Sequence, residues 1–473
     1  MTDPTMPPAL AEALAHHQKG DLEAAESGYL AVIDTDPGNP DAHHLLSILR
    51  LQQGRAEEAL PLIDKVIALA PEAADAYGNK GTALQALERY GEAAFAFRTA
   101  IGYAPDAAHH HYNLGNTLRA DDDKPGAVRA YRDAIRCAPD LVQAHSNLAT
   151  TLSELGLFDE AVAHCKLALK YQPGFADAHY NLGNAHREAG RYDAAVAAYN
   201  DALKHDPGHA DAYCNLGLTE MIRPGLDRAI RTLGKAVDIK PDHDMARFYQ
   251  AVATEMIGAD ATKLFKALPE DDAAVDAWLD SWDYVKSHSN LKTEIIHCPY
   301  ALLSLALEAA SLDGLVLEFG VRHGQSIRHI ASEARQDTHG FDSFHGLPSA
   351  WGGEPEGVYS TEGQLPDVPD NVTLHAGLFE DTLSPFLKDH PGEVRFCNID
   401  CDIYGSTVTV LDGLAPRIKA GSVLVFDEYL INPTWRDDEY KAFQEAVEKY
   451  GWTYRYLAFG IVTKQAAVMI EDD

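Results

Sequence analysis

Pro37, Pro71, Pro105, Pro139, Pro173, Pro207 and Pro241 stand 34 residues apart without a slip. A strict period of that length requires a stack of equal units, each packing its apolar face on the next. A second column keeps the same register. Ala25, Ala59, Ala93, Ala127, Ala161, Ala195 and Ala229 each precede their proline by twelve residues. A side chain that small lets two helices cross closely. A third column, Ala13, Ser47, Gly81, Gly115, Ala149, Gly183 and Gly217, puts small residues on the facing helix. Each proline ends the second helix of its unit, because it cannot continue the hydrogen-bond ladder and disfavours helix in the residue before it. Residues 6–243 are therefore predicted to form seven helix–turn–helix units of an all-α solenoid.

The period resembles that of the tetratricopeptide repeat. One column within it is polar: Asn79, Asn113, Asn147, Asn181 and Asn215 occupy equivalent positions of five successive units, and Ala11 and Leu45 replace them in the first two. Asparagine inside a helix costs roughly half a kcal/mol relative to alanine, so five repetitions need a reason. A stacked row of amides offers donors and acceptors to the main chain of an extended peptide. The competing reading is that each amide bonds only to the neighbouring repeat. Over about residues 74–243 the units resemble the repeats of the O-linked N-acetylglucosamine transferase, and that resemblance implies a protein or peptide partner on the concave face.

An eighth unit begins at Asp244, but no proline stands at residue 275. Residues 244–290 are expected to give a capping helix and a connection, with Trp278 and Trp282 packing the solenoid end against the next domain.

From Leu315 the grammar changes to short apolar runs alternating with helical patterns. The runs are 315–321, 339–344, 371–377, 394–400 and 422–428. This predicts a doubly wound, Rossmann-like α/β domain over residues 291–473. A terminal pair, 453–460 and 462–470, is expected as an antiparallel hairpin at the sheet edge. Ligands of such sheets bind at the carboxyl ends of the strands.

The first run ends Glu318-Phe319-Gly320, followed by Gly324 and Ser326. Glycines there let the backbone turn tightly against a ligand, and a glutamate can hold a cationic group. The dinucleotide spacing G-x-G-x-x-G is absent, which argues against a nicotinamide cofactor. The spacing resembles the first motif of class I S-adenosylmethionine-dependent methyltransferases. By that resemblance Glu318 and the loop 320–326 hold the methionine half of S-adenosylmethionine, and Asp342 accepts from its ribose; a turn-capping aspartate is the alternative for Asp342.

Asp400 and Asp402 follow the fourth run, and Asp427 and Glu428 the fifth. Parallel strands would bring these like charges to one edge, which calls for a cation or a shared proton. Hard oxygen ligands favour magnesium; a solvated acidic rim is the other reading.

Residues 291–473 also resemble the macrocin O-methyltransferase family, through EFGV-x-x-G-x-S at 318–326, GFDSFHGLP at 340–348, GLFEDTL at 377–383, NIDCDIYGST at 398–407 and VFDEY at 425–429. The resemblance implies a magnesium-dependent O-methyltransferase of sugar hydroxyls. Asp400, Asp427 and Glu428 would hold the metal, Asp402 would act as general base, and Ser343, Gly377 and Phe379 would join the cofactor set. Arg322-His323 departs from the family pattern, as does the long repeat domain. Two segments, 347–371 and 430–440, are expected to shape the acceptor pocket. Trp435 there is read either as a sugar-stacking platform or as core.

A formal charge of −33 argues against nucleic acid or an anionic membrane as main partner. The six cysteines show no metal-finger spacing. No basic-then-apolar leader opens the sequence and no stretch of eighteen apolar residues occurs, so a cytoplasmic location is expected. The expectation is an O-methyltransferase whose repeats recruit a partner. A protein methyltransferase, with its target held along the repeats, and a non-catalytic scaffold are the alternatives.

Overall fold

The computed structural model describes residues 6–222, 225–290, 293–350, 357, 359–361 and 363–472. The chain divides into two compact units, Met1–His205 and Asp206–Asp473.

The first unit is a run of paired helices, from Pro8–Gln18 and Leu22–Thr35 to Ala176–Glu188 and Tyr192–His205. The alanine column lies where helices touch: Ala25, Ala59, Ala93, Ala127, Ala161 and Ala195 have no exposed surface. The small-residue column makes room for a ring sixteen residues later. A Cβ on Gly81 would lie 2.8 Å from the Phe97 ring, and one on Gly115 or Gly183 would lie 2.5 Å from Tyr131 or Tyr199. Contacts that close do not occur between packed atoms, so these three units need glycine opposite their rings; the first unit differs, with Ala13 sixteen residues before Tyr29 in one buried cluster.

A further column ties each turn. His43, Tyr77, His111, His145 and His179 stand six residues after their prolines and donate to the carbonyls of Pro37, Pro71, Pro105, Pro139 and Pro173 at 3.1, 3.1, 2.8, 3.1 and 3.0 Å. Those carbonyls lie beyond the helical ladder and need a donor from elsewhere.

The second unit opens with the seventh repeat, Ala210–Met221 and Leu226–Ile239. The helix Asp244–Met256, the short turn Thr262–Phe265 and the helix Ala273–His288 come next. Cys214, Leu218, Leu233, Phe248 and Trp282 belong to one apolar cluster with Phe426, Tyr429 and Phe459 of the sheet region. That shared core is why the compact boundary falls after His205 rather than at residue 243. Trp282 donates its indole N–H to Glu255 at 2.6 Å, and Trp278 lies 5.6 Å from the Phe248 ring. The cap is joined to the sheet domain by hydroxyls: Tyr284 meets Tyr456 at 2.6 Å, and Tyr456 meets Tyr429 at 2.8 Å.

The sheet has strands β1 (Glu294–Ile295), β2 (Leu315–Phe319), β3 (Thr338–Asp342), β4 (Val372–Ala376), β5 (Val394–Ile399), β6 (Val423–Phe426), β7 (Thr453–Phe459) and β8 (Ala466–Glu471), in the order β1-β7-β8-β6-β5-β2-β3-β4. All pairings are parallel except those of β8 with β6 and β7. The expected terminal hairpin is present, but its place is corrected. β8 inserts between β6 and β7, and the two-residue β1, too short to leave a periodic signal, takes the edge. The chain leaves β2 toward β4 on one side and runs from β5 to β6 on the other, so the topological switch lies between β2 and β5.

Candidate active site

β2 delivers Glu318 fully buried at the switch point. Its Oε1 accepts from Asn398 Nδ2 at 2.8 Å, across the β2–β5 register that pairs these two residues. Ser326 also hydrogen-bonds the carboxylate. Glu318 Oε2 and Asn398 Oδ1 are buried with no partner. Burial pushes the Glu318 pKa up to about 8, against the pull of those two hydrogen bonds.

The loop beyond is shaped by close approach. A Cβ on Gly320, at φ +94°, would sit 1.8 Å from the Asp400 carbonyl oxygen. Gly324 caps the helix Gln325–Ala334 at φ +74°. Asp342, at the end of β3, accepts from the Arg322 N–H at 2.8 Å and the Phe344 N–H at 2.6 Å. Its carboxylate therefore organises two turns, whatever else it binds. Ser343 accepts from the His345 N–H at 3.1 Å and donates to Gly346 O at 3.0 Å. Gly377, at φ +137°, donates to Asp342 O at 2.9 Å, and the Phe379 ring stands edge-on to Phe319 at 5.3 Å. The switch point thus gathers Glu318, Gly320, Gly324, Ser326, Asp342, Ser343, Gly377 and Phe379 along neighbouring strand ends.

The acidic edge lies beside it. Burial first, and then repulsion from Asp427 and Asp402, raise Asp400 well above the carboxylate range. Asp402, held at φ +58°, is raised to about 6 by burial and Asp427, against the pull of Arg322 and Lys464. Asp427 accepts from Gln465 Nε2 at 2.6 Å. Glu428 is raised to about 7 by burial, although Lys464 Nζ lies 3.0 Å from each of its oxygens. Arg322 and Lys464 share the left-handed backbone of Asp402, at φ +46° and +63°. Such conformations cost about 1–3 kcal/mol each and gather at functional sites.

Three of these groups were not legible as site residues. Lys464 and Gln465 come from the loop before β8, and Glu439 opens the helix Glu439–Tyr450. Glu439 is fully buried, and its carboxylate accepts from the N–H groups of Cys401 and Glu428, each at 3.1 Å. It fastens the loops after β5 and β6 to each other. The run WRDDEY reads as surface; only tertiary structure turns one acid inward.

The expected three-carboxylate metal set does not fit as it stands. Glu428 is committed to Lys464 and Asp427 to Gln465. Among the described residues, the set of three metal-ligating types with donor atoms within 4.8 Å is Asp75, His109 and His110, far along the chain. The Arg322 guanidinium and the Lys464 ammonium supply positive charge to the edge instead.

The sugar-platform reading of Trp435 is also corrected. Its ring is buried, 4.9 Å from Tyr440 and 5.4 Å from Tyr284, and Arg436 above it grips Asp280 at 2.6 and 2.8 Å. Both residues anchor the helix Ala273–His288. Of the segment 347–371, expected to shape the acceptor pocket, residues 351–356, 358 and 362 lie outside the described residues; Tyr359 stacks under the Arg322 guanidinium at 4.7 Å.

The row of asparagines is half-buried. Asn147 Nδ2 donates to Tyr112 Oη at 3.1 Å and Asn116 Oδ1 at 2.8 Å, and Asn181 Nδ2 donates to Ser146 Oγ at 2.9 Å. These amides reach back to the side chains of the preceding repeat.

Comparison with known proteins agrees with both halves. Residues 317–429 match a methyltransferase-domain family, and tetratricopeptide-repeat families match residues 16–83, 78–142, 146–210 and 182–244. The chain carries tetratricopeptide repeats and a methyltransferase domain. Such a domain takes its methyl group from S-adenosylmethionine, and the unpartnered Glu318 oxygen beside a glycine-lined turn fits that molecule's ammonium group. Among solved structures, YrrB, described as a tetratricopeptide-repeat protein with an unusual peptide-binding site, is 26% identical over 39% of this chain and 95% of its own, with a TM-score of 0.34. MamA is 31% identical over 33% of this chain and 91% of its own, at 0.31. The Pseudomonas aeruginosa pilF structure is 18% identical over 43% and 93%, at 0.39. No curated protein matches the chain. Among the described residues no helix is long and apolar enough to cross a membrane.

Proposed function

We propose that the second unit methylates a hydroxyl oxygen of a sugar or glycosylated acceptor, with Asp402 as general base, and that the repeats recruit a protein or peptide. The observation that carries the reading is Asp402 itself. It is mostly buried just after β5, the strand that pairs with the one carrying Glu318, in a left-handed backbone and with its pKa raised to about 6. A base works best when its pKa lies near the operating pH. S-adenosylmethionine, when bound, supplies an electrophilic methyl carbon whose bond to sulfur breaks as the acceptor oxygen attacks. Glu318 and Asn398 offer their free oxygens to its ammonium group, and Asp342 and the Gly320 turn fix the backbone around it. Asp402 takes the hydroxyl proton as the C–O bond forms. Arg322 and Lys464 keep Asp402 ionised enough to do so and offset the charge of Asp400 and Asp427.

Magnesium, implied by the family resemblance, has no part in this scheme, because Lys464 occupies Glu428. The sugar acceptor rests on the motifs shared with macrocin O-methyltransferases. A partner on the repeats rests on the asparagine row, whose amides also serve the solenoid.

The test is a methyl-transfer assay with labelled S-adenosylmethionine against a panel of glycosides, run beside calorimetry with S-adenosylhomocysteine. Binding together with labelled glycoside supports the reading. Binding with label transferred only to protein replaces the sugar by a protein target. Failure of folded protein to bind the nucleoside ends it.

A further inference from the structure

The fourth repeat breaks the pattern of its neighbours. The third residue of each repeat's first helix is Ala42, Ala76, Ala144, Ala178 and Ala212 in repeats two, three, five, six and seven, but His110 in the fourth. The residue before it is Asp41, Asp75, Asp177 and Asp211 in repeats two, three, six and seven, but His109 in the fourth. An imidazole has thus entered a buried alanine column, and His110 is only 2% exposed.

Space for it was made across the junction. A Cβ on Gly78 would lie 2.5 Å from His110 Cε1 and 2.8 Å from Nδ1. The equivalents of Gly78 in later repeats are Tyr112, Ser146, Tyr180 and Cys214. Two changes in adjoining repeats, one enlarging and one shrinking, therefore seat this ring.

The ring then has no hydrogen-bond partner. Both of its nitrogens are buried without a hydrogen bond, a cost that native interiors avoid. What faces them is ligand chemistry. His110 Nε2 lies 3.6 Å from Asp75 Oδ1, His109 Nε2 lies 3.7 Å from the same oxygen, and the two rings are 3.9 Å apart. The three donor atoms fall within 4.8 Å of one another. Ligands held at about 2.0–2.1 Å in a tetrahedron stand about 3.4 Å apart, so the two contacts to Asp75 need close by only a few tenths of an ångström.

We propose that Asp75, His109 and His110 bind a borderline divalent transition-metal ion, zinc foremost, across the junction of the third and fourth repeats. Two imidazoles and one carboxylate suit zinc, cobalt or nickel and not magnesium or calcium. Asp75 and His109 are 74% and 62% exposed in their side chains, so the ion enters from solvent and keeps positions for water. Bound there, it staples the helix Ala74–Ala86 to the helix Ala108–Ala120 and stabilises the first unit by mass action. The site owes nothing to the methyl-transfer reading.

The experiment uses the full chain without a polyhistidine tag, stripped of metal, titrated with zinc by calorimetry and with cobalt by visible absorption. A single zinc ion should bind per chain at micromolar Kd or tighter, the cobalt spectrum should report nitrogen ligation, and the melting temperature should rise. Asp75→Asn, a surface change, and His110→Ala, which installs the residue the other repeats carry, should each weaken binding about tenfold or more. His16→Ala should change nothing. The proposal is overturned if the intact chain binds no zinc, or if Asp75→Asn binds it as tightly as the intact chain. The Asp75 variant decides the matter even should the His110 variant misfold.

Discussion

The Lys464 ammonium stands 3.0 Å from both oxygens of Glu428, so a cation from the chain holds the carboxylate that motif reasoning assigns to a metal. Removing the ammonium from this part-buried pair leaves the more buried carboxylate uncompensated. Lys464→Met should therefore lower methyl transfer about tenfold or more and make the residual rate respond to magnesium through the freed Glu428. The intact enzyme should keep its rate in excess chelator. Loss of activity in chelator, restored by magnesium, would show that the lysine yields to a metal.

Asp402→Asn should cut kcat by about 10²–10⁴, the range of a lost general base, while S-adenosylhomocysteine binds within a few-fold of the parent. In the parent, the rate should rise with pH through about 6, where Asp402 loses its proton. Arg322 draws that value down, so Arg322→Gln should move the rising limb to higher pH. A limb that stays in place would remove Asp402 from the role.

Glu318 links stability to pH. Its folded value of about 8 lies above the ordinary 4.5, so the folded state binds the proton more tightly. The resulting stability is fully present below pH 4.5 and is lost as pH rises through 8. Asp400, Glu428 and Glu439 are raised too and act in the same direction. The second unit should melt at lower temperature at pH 8 than at pH 5. Glu318→Gln should flatten part of that slope and weaken S-adenosylhomocysteine binding, readable by calorimetry and scanning fluorimetry together.

Two glycines of one loop should fail differently. Gly320→Ala puts a carbon on the Asp400 carbonyl oxygen and forces a residue other than glycine to φ +94°, so the second unit should lose several kcal/mol or not fold. Gly324→Trp, at φ +74°, is strained as well but meets only the side chains of Arg328 and Pro366, at 3.0 Å; it should cost less stability than Gly320→Ala and abolish nucleoside binding. Equal melting losses in the two variants would deny the loop its role as a cradle.

Asn147 donates to Tyr112 and Asn116 of the preceding repeat. Asn147→Ala should therefore cost about 1 kcal/mol despite alanine's better helix propensity. A partner isolated on the intact chain should bind the variant less well; a lowered melting point with unchanged capture would end the clamp reading.

The solenoid was legible because its information is periodic. The alanine, small-residue and proline columns each repeat a local requirement, and the histidine and tyrosine donors six residues after the prolines could have been added from the same alignment. The strand ends were legible because Glu318, Asp342, Asp400 and Asp427 close apolar runs. What escaped was whatever depends on a return from distant sequence. Lys464 and Gln465 arrive from beyond β7, Glu439 turns inward from an acidic run, and β1 consists of two residues. Trp435 comes after the carboxylates in sequence yet points its ring into a tyrosine cluster, because the helix Ala273–His288 needs an apolar floor. Neighbourhood in sequence fixed its position and said nothing of its facing.

The glycine-and-ring pairs of the solenoid, Gly81 with Phe97, Gly115 with Tyr131 and Gly183 with Tyr199, are matched within a repeat. The heritable part is thus the pair and not the helix. Whole repeats can be duplicated or deleted with their fit intact. A crossover between residues 81 and 97 keeps the fit when the incoming helix also brings a ring, as the helices of Tyr131 and Tyr199 do, and leaves the glycine cleft unfilled when it brings the smaller Cys165.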